Sequence, residues 1–116
     1  SITATTDLES TIPVNEELFK VLIRNLMSNL LKHQQNCKEL HIQTFKSDNQ
    51  FHVVWLEKGN LWDDPTIELL SQPDAQKGSS LGLVLIHSVV AALKAKITFQ
   101  KGEEGGQIII KFMLDE

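Results

Sequence analysis

The apolar positions change period along the chain, and each change marks an element. From Leu18 to His33 they recur at helical spacing, in two interleaved series: Leu18, Leu22, Leu26, Leu30 and Phe19, Ile23, Met27, Leu31. Asn15 ahead of them is a good N-cap, and Glu16 and Glu17 stand where the positive end of a helix dipole favours acids, which predicts a helix over Asn15–His33. Upstream, Ile2 to Leu8 alternates weakly and is rich in Thr, as a short edge strand would be. Downstream the period falls to two. Leu40, Ile42 and Thr44 alternate with His41, Gln43 and Phe45; Phe51, Val53 and Trp55 alternate with His52, Val54 and Leu56; Ser47-Asp48-Asn49-Gln50 between them is hairpin chemistry. Glu57 to Lys77 holds Gly59, Pro65 and Pro73 with little sustained period, and reads as a long loop with one helical turn at Thr66–Ser71. Its low apolar density predicts few buried contacts. Gly78-Ser79-Ser80 opens a second helix, Leu81 to about Leu93, apolar nearly all round and so expected to be sandwiched. Strands Lys96–Lys101 and Gln107–Leu114, joined by the turn Gly102–Gly106, close the chain.

This order predicts an α/β (α+β) two-layer sandwich, with the helices on one face of a mixed, mostly antiparallel five-stranded sheet. The 116 residues carry no repeat or linker and read as one domain, 1–116; without an initiator Met, the expectation is a domain excised from a longer chain. Eleven basic against fifteen acidic residues give a net charge of −4, which argues against a nucleic-acid-binding face. Cys37 is the only cysteine, so an internal disulfide is excluded and a reducing compartment fits. The longest apolar run, Leu81 to Leu93, is interrupted by His87 and Ser88 and is too short to span a bilayer. A cytoplasmic location without direct membrane contact is therefore expected.

Two features carry candidate chemistry. Arg24, Asn25, Ser28, Asn29, Lys32 and His33 form a continuous polar stripe on an otherwise apolar helix. Such a stripe is usually a solvated face, but Asn fills one poorly because its side chain competes with the helical backbone. Two Asn one turn apart, with a Lys one turn beyond, suit a site that needs an amide oxygen for a hard cation and an ammonium for phosphate. The second feature is Gly78-Ser79-Ser80-Leu81-Gly82-Leu83, small residues at a helix start that leave backbone N–H groups open to an anion. Taken alone it is also ordinary helix-start chemistry. It lacks the Lys-Ser/Thr of a P-loop.

Together, in this order and separation, the two features resemble the GHKL ATPase superfamily, and more narrowly the ATP-binding catalytic domain of bacterial sensor histidine kinases (the Bergerat fold). Leu22-Ile23-Arg24-Asn25-Leu26-Met27-Ser28-Asn29-Leu30-Leu31-Lys32-His33 is similar to the family's N box, and Gly78 to Leu83 to its second glycine box. The resemblance implies that Asn29 ligates the Mg²⁺ bridging the phosphates of ATP. It implies that Asn25 belongs to the same nucleotide site, that Lys32 and His33 contact phosphates or ribose, and that Gly78, Ser79, Ser80, Leu81, Gly82 and Leu83 cradle the triphosphate. Hydrolytic branches of the superfamily carry a Glu where Asn25 stands; an amide cannot take a proton from water, so a water-attacking ATPase is not implied.

The first glycine box departs from the family's Asp-x-Gly-x-Gly. Here it reads Glu57-Lys58-Gly59-Asn60-Leu61. The family's Asp accepts from the adenine amino group; Glu57 sets that carboxylate one methylene further out, and Leu61 is expected to intrude where a Gly would admit the nucleotide. Ser80 likewise replaces a Gly of the phosphate loop. None of His33, His41, His52 and His87 precedes an acid, as a histidine kinase phosphoacceptor would. What is implied is a protein-histidine-kinase type of domain, a transferase inactive in isolation. It would pass the γ-phosphoryl of Mg·ATP to a His on a separate dimerisation domain and from there serve a response regulator. The alternative is a non-catalytic docking or regulatory module with a vestigial site. Trp55 and His87 read as core, Cys37 as structural, and Trp62 as either lid or interface.

Overall fold

The computed structural model describes residues 3–7, 14–33, 36–72 and 81–114 of the chain. Its elements in order are β1 (Thr3–Asp7), α1 (Glu16–His33), β2 (Glu39–Ser47), β3 (Gln50–Lys58), α2 (Asp64–Ser71), α3 (Leu81–Ala92), β4 (Ala95–Lys101) and β5 (Gly105–Met113). Strands β2, β3, β5 and β4 lie in that spatial order, each antiparallel to the next. The short β1 adds alongside β2 in parallel, Thr3 opposite Glu39 and Asp7 opposite Gln43.

The local chemistry expected from the sequence is in place at both ends of the β2–β3 pair. Asn15 Oδ1 accepts from Leu18 N–H at 3.0 Å and caps α1. The hairpin turns on Asp48 (φ 53°) and Asn49 (φ 60°), the two positive angles that a tight two-residue turn demands and that Asp and Asn tolerate best. Burial alternates strictly along β3: Phe51, Val53, Trp55 and Glu57 are buried, and the residues between them are not. Their register partners Ile108, Ile110 and Phe112 on β5 are buried on the same face. The helices cover that face. α1 contributes Phe19, Leu22, Leu26 and Leu30, and α3 contributes Leu83, Ile86, Val89 and Val90.

Three expectations change. First, the long loop holds more than one turn of helix: Asp64–Ser71 forms two, with Asp63 Oδ1 accepting from Thr66 N–H at 2.9 Å and Pro65 in the first turn. Its Leu70 is buried, as are Asn60 and Trp62 ahead of it, so three residues anchor a segment that is otherwise mostly exposed; residues 73–77 lie outside those described. Capping chemistry, not apolar period, makes this helix. Second, α3 is not sandwiched all round, since Leu85, Ser88, Ala91 and Ala92 are exposed. Third, β5 starts at Gly105 rather than Gln107, because two glycines let it close on its neighbours. A Cβ at Gly105 would strike the Glu57 carbonyl, and one at Gly106 would enter the Trp62 ring.

That ring contact gives a first test. Gly106→Ala forces either Trp62 or β5 to move, and should cost about 1–3 kcal/mol of unfolding free energy. Trp62→Leu in the same chain should recover most of the loss in urea unfolding. An unchanged midpoint for Gly106→Ala alone would mean that the indole does not rest on this glycine.

Candidate functional site

The polar stripe of α1 splits into two. Arg24, Ser28 and Lys32 line an outer groove of about 910 Å³, whose floor is Phe19, Ile23, Met27 and Ile42. Asn25 and Asn29 stand half-buried on the neighbouring side of the helix. Asn25 is committed locally, its Nδ2 donating to the Val21 carbonyl one turn back at 2.8 Å. The amide of Asn29 has no partner among the described residues. Of the two, Asn29 is the one left available to a ligand, and its amide oxygen is a hard donor suited to Mg²⁺. Lys32 is exposed one turn beyond. The His33 and Leu81 side chains and Gly78, Ser79 and Ser80 lie outside the described residues, so the expected phosphate cradle is described only from the Leu81 backbone onward. Gly82 falls in the first turn of α3, followed by the buried Leu83.

At the C-terminal end of β3, Glu57 sits in a closed hydrogen-bond network. Glu57 is 3% exposed, and both carboxylate oxygens are engaged: Trp55 Nε1 donates to Oε2 at 2.8 Å and Asn60 Nδ2 donates to Oε1 at 2.9 Å. Trp55 is two residues back on the same strand, hence on the same face. Asn60 is held in turn by the backbone. Its N–H donates to the Glu57 carbonyl at 3.2 Å, and its own carbonyl accepts from Gly106 N–H at 2.8 Å. Burial pushes the Glu57 carboxyl above the usual range, against the downward pull of the Trp55 and Asn60 bonds. The nearby Cys37 thiol is raised as well, by burial first and then by the Glu57 charge.

Gly59 is required where it stands. Its φ is +91°, and a Cβ would lie 2.5 Å from the Asn36 carbonyl; its N–H donates to the Glu104 carbonyl at 2.9 Å. Leu61 does not intrude on the site. It is 74% exposed, and the residue turned inward is Trp62, packed on Gly106 and 6.2 Å from Phe99. The Trp62 Nε1 donor is buried and has no partner among the described residues. His87 is a tie between helices, its Nε2 donating to the Leu70 carbonyl at 2.7 Å while its ring tilts against Phe99. Outside the site, Lys58 reaches both Glu39 (3.7 Å) and Glu104 (3.4 Å), and Lys101 pairs with Asp64 at 2.8 Å.

Sequence reasoning identified Glu57 and missed its partners. The Trp-x-Glu spacing on a predicted strand, which sets both side chains on one face, was the available signal. Nothing in the sequence pointed to Asn60.

No protein-family model and no curated protein matches the chain. Solved structures do. The chain superposes on Acinetobacter baumannii histidine kinase AdeS with a TM-score of 0.77 at 19% identity, covering 99% of this chain and 55% of that one. For the histidine kinase domain of the Erythrobacter litoralis EL346 blue-light-activated kinase the TM-score is 0.71 at 18% identity, over 97% and 52% of the two chains. For the mycobacterial sensor histidine kinase MprB it is 0.69 at 13% identity, over 96% and 80%. The fold is thus that of histidine kinase catalytic (ATPase) domains, and the chain spans about half the length of the first two structures. Among the described residues no helix is long and apolar enough to cross a membrane.

Proposed function

We propose that the chain is the Mg·nucleotide-binding domain of a two-component histidine kinase, which holds ATP for phosphoryl transfer to a His on a separate dimerisation domain. The observation that carries this reading is Asn29, a half-buried amide on α1 with no partner among the described residues, in a fold shared with histidine kinase catalytic domains. Transfer between phosphates and an acceptor is mostly a matter of positioning and charge stabilisation. Mg²⁺ would supply the charge that neutralises the phosphate oxygens, and Asn29 Oδ1 would hold it. Lys32 contributes an ammonium that reaches phosphate as a point charge, and the first-turn N–H groups of α3 add donors aimed along the helix axis. Asn25, tied to Val21, supplies no base for water. A cytoplasmic setting and a response regulator downstream belong to the same proposal.

Thermal unfolding with millimolar Mg·AMP-PNP tests it. A ligand at a hundred times its dissociation constant stabilises by about 2.7 kcal/mol, a rise of roughly 8–12 °C for a domain of this size. Asn29→Ala should remove the Mg²⁺-dependent part of that rise. The second reading, a docking or regulatory module with a vestigial site, is favoured by the closed Glu57 network; no shift with any nucleotide, in wild type and variant alike, would select it.

A further inference from the structure

We infer that the outer groove of α1 is the docking site of an amphipathic helix with acidic flanks, supplied by a partner protein. The inference uses neither the nucleotide site nor Glu57, and stands or falls apart from both.

α1 carries two apolar series, and the core uses only one of them fully. Leu22, Leu26 and Leu30 are buried beneath the helix. Phe19, Ile23, Met27 and Leu31 run beside them at i, i+4, i+8 and i+12, and burial fades along this second series: Phe19 is buried, Ile23 and Met27 are half-buried, and Leu31 is 68% exposed. Residues at that spacing form one continuous ridge, the kind by which helices most often pack on one another. Together with Ile42 of β2 they line the groove of about 910 Å³. The layout of the helix layer agrees. α2 and α3 both pack against β4, and α3 against α1, so the layer is filled toward the β4 edge. On the β1–β2 side it ends at α1 among the described residues. A helix set about 8–10 Å from α1 on that side would continue the layer and cover the ridge.

The rim decides what kind of helix fits. It sets Lys20, Arg24 and Lys32 against Glu16, in a chain whose net charge is −4. Lys20 is met by Glu16 at 3.4 Å and by Glu17 at 3.9 Å, whereas Arg24 has no ion-pair partner among the described residues. A guanidinium beside an apolar floor is matched best by a carboxylate, which accepts two parallel N–H bonds from it. A second copy of the chain would instead bring its own Lys20 and Arg24 to the same place, and like charges across an interface work against association. A bilayer fits the shape poorly. Phe19 and Ile42 lie buried at the floor, so the groove receives side chains, whereas a membrane-bound helix must insert its own. Apolar anchors one turn apart on a partner helix would fill it, with acids beside them to meet Arg24.

Two synthetic helical peptides of about five turns test the inference, each with Leu at i, i+3, i+4 and i+7 and flanked by Glu in one and by Lys in the other. The acidic peptide should bind the wild-type chain at least about tenfold more tightly than the basic one, and its amide chemical-shift changes should concentrate at Ile23, Met27, Leu31 and Ile42. Arg24→Glu should weaken the acidic peptide about tenfold and tighten the basic one. Met27→Glu puts a charge on the ridge and should weaken both by about tenfold or more. Arg24 is exposed, so its charge reversal keeps the test decisive even where Met27→Glu fails to fold. Absence of binding, equal affinity for the two peptides, or shift changes away from the groove would each overturn the inference. So would either rival occupant. A dimer in sedimentation equilibrium that Met27→Glu abolishes would assign the groove to a second copy, and binding to phosphatidylglycerol vesicles that Arg24→Glu abolishes would assign it to a membrane.

Discussion

Trp55→Ala should be among the most damaging single substitutions in the domain, lowering its unfolding free energy by about 3–5 kcal/mol and its midpoint by roughly 12–20 °C. Two losses add. The indole is among the largest fully buried side chains, at 0% exposure, so its removal leaves a cavity under both helices. Its Nε1 also donates to the Glu57 carboxylate, which would then remain buried with Asn60 Nδ2 as its remaining side-chain donor among the described residues. Trp55→Phe separates the terms, since it keeps most of the apolar volume and drops the donor; about 1–3 kcal/mol is expected from it. A cycle of Trp55→Phe with Glu57→Gln should show a coupling energy of at least about 0.5 kcal/mol, as contacting residues do. Additive losses would mean that the 2.8 Å bond contributes nothing to folding. A total stability of some 5–15 kcal/mol makes any of these losses a large fraction of the whole.

How much of this could be read in advance follows from what kind of signal each part carries. α1 and the β2–β3 hairpin declare themselves because apolar period, cap and turn residues agree over many positions: Asn15, Glu16 and Glu17 start the helix, and Asp48 and Asn49 take the positive φ of the turn. α2 was hidden because its helix is set by two short-range effects, the Asp63 cap and Pro65 in the first turn, on a segment too short for its period to show. The hydrogen-bond network of Glu57 was only half legible. Trp55 is a strand neighbour at i−2, whereas Asn60 reaches back across a turn whose geometry depends on Gly59 at φ +91° and on the start of β5. The residue turned inward after Gly59 is Trp62 and not Leu61, because Gly106 on β5, lacking a Cβ, leaves the space that the indole ring fills. Long-range register decides such choices, and no local pattern encodes it.

Stability should fall as pH rises above the ordinary carboxylate range, and Glu57→Gln should abolish that fall. In the unfolded chain Glu57 ionises near its usual value of about 4.3. In the folded chain burial raises it, so over the interval between the two the native state retains a proton that the unfolded state has released. Its contribution is complete below the unfolded value and is lost as pH climbs through the folded one, at no more than about 1.4 kcal/mol per pH unit. Two carboxylates act in the opposite direction: Glu39 is lowered by its bond to His41 and by Lys58, and Asp63 by its bonds to Thr66. Their contributions are present above the usual carboxylate values and disappear as pH drops through the lowered ones, so they form the acid limb. Maximum stability is therefore expected close to the ordinary carboxylate range, lower than for most domains. Cys37, raised from the ordinary thiol value, titrates well outside this interval. Urea unfolding at pH values stepped upward from the ordinary carboxylate value should show the wild type weakening until the folded carboxyl has ionised and then holding level. Glu57→Gln, which offers a single acceptor oxygen to two donors, should start from a lower value and hold it through the series. A wild type whose stability is level across the same interval would mean that Trp55 and Asn60 hold Glu57 as a buried anion, their two bonds outweighing its desolvation.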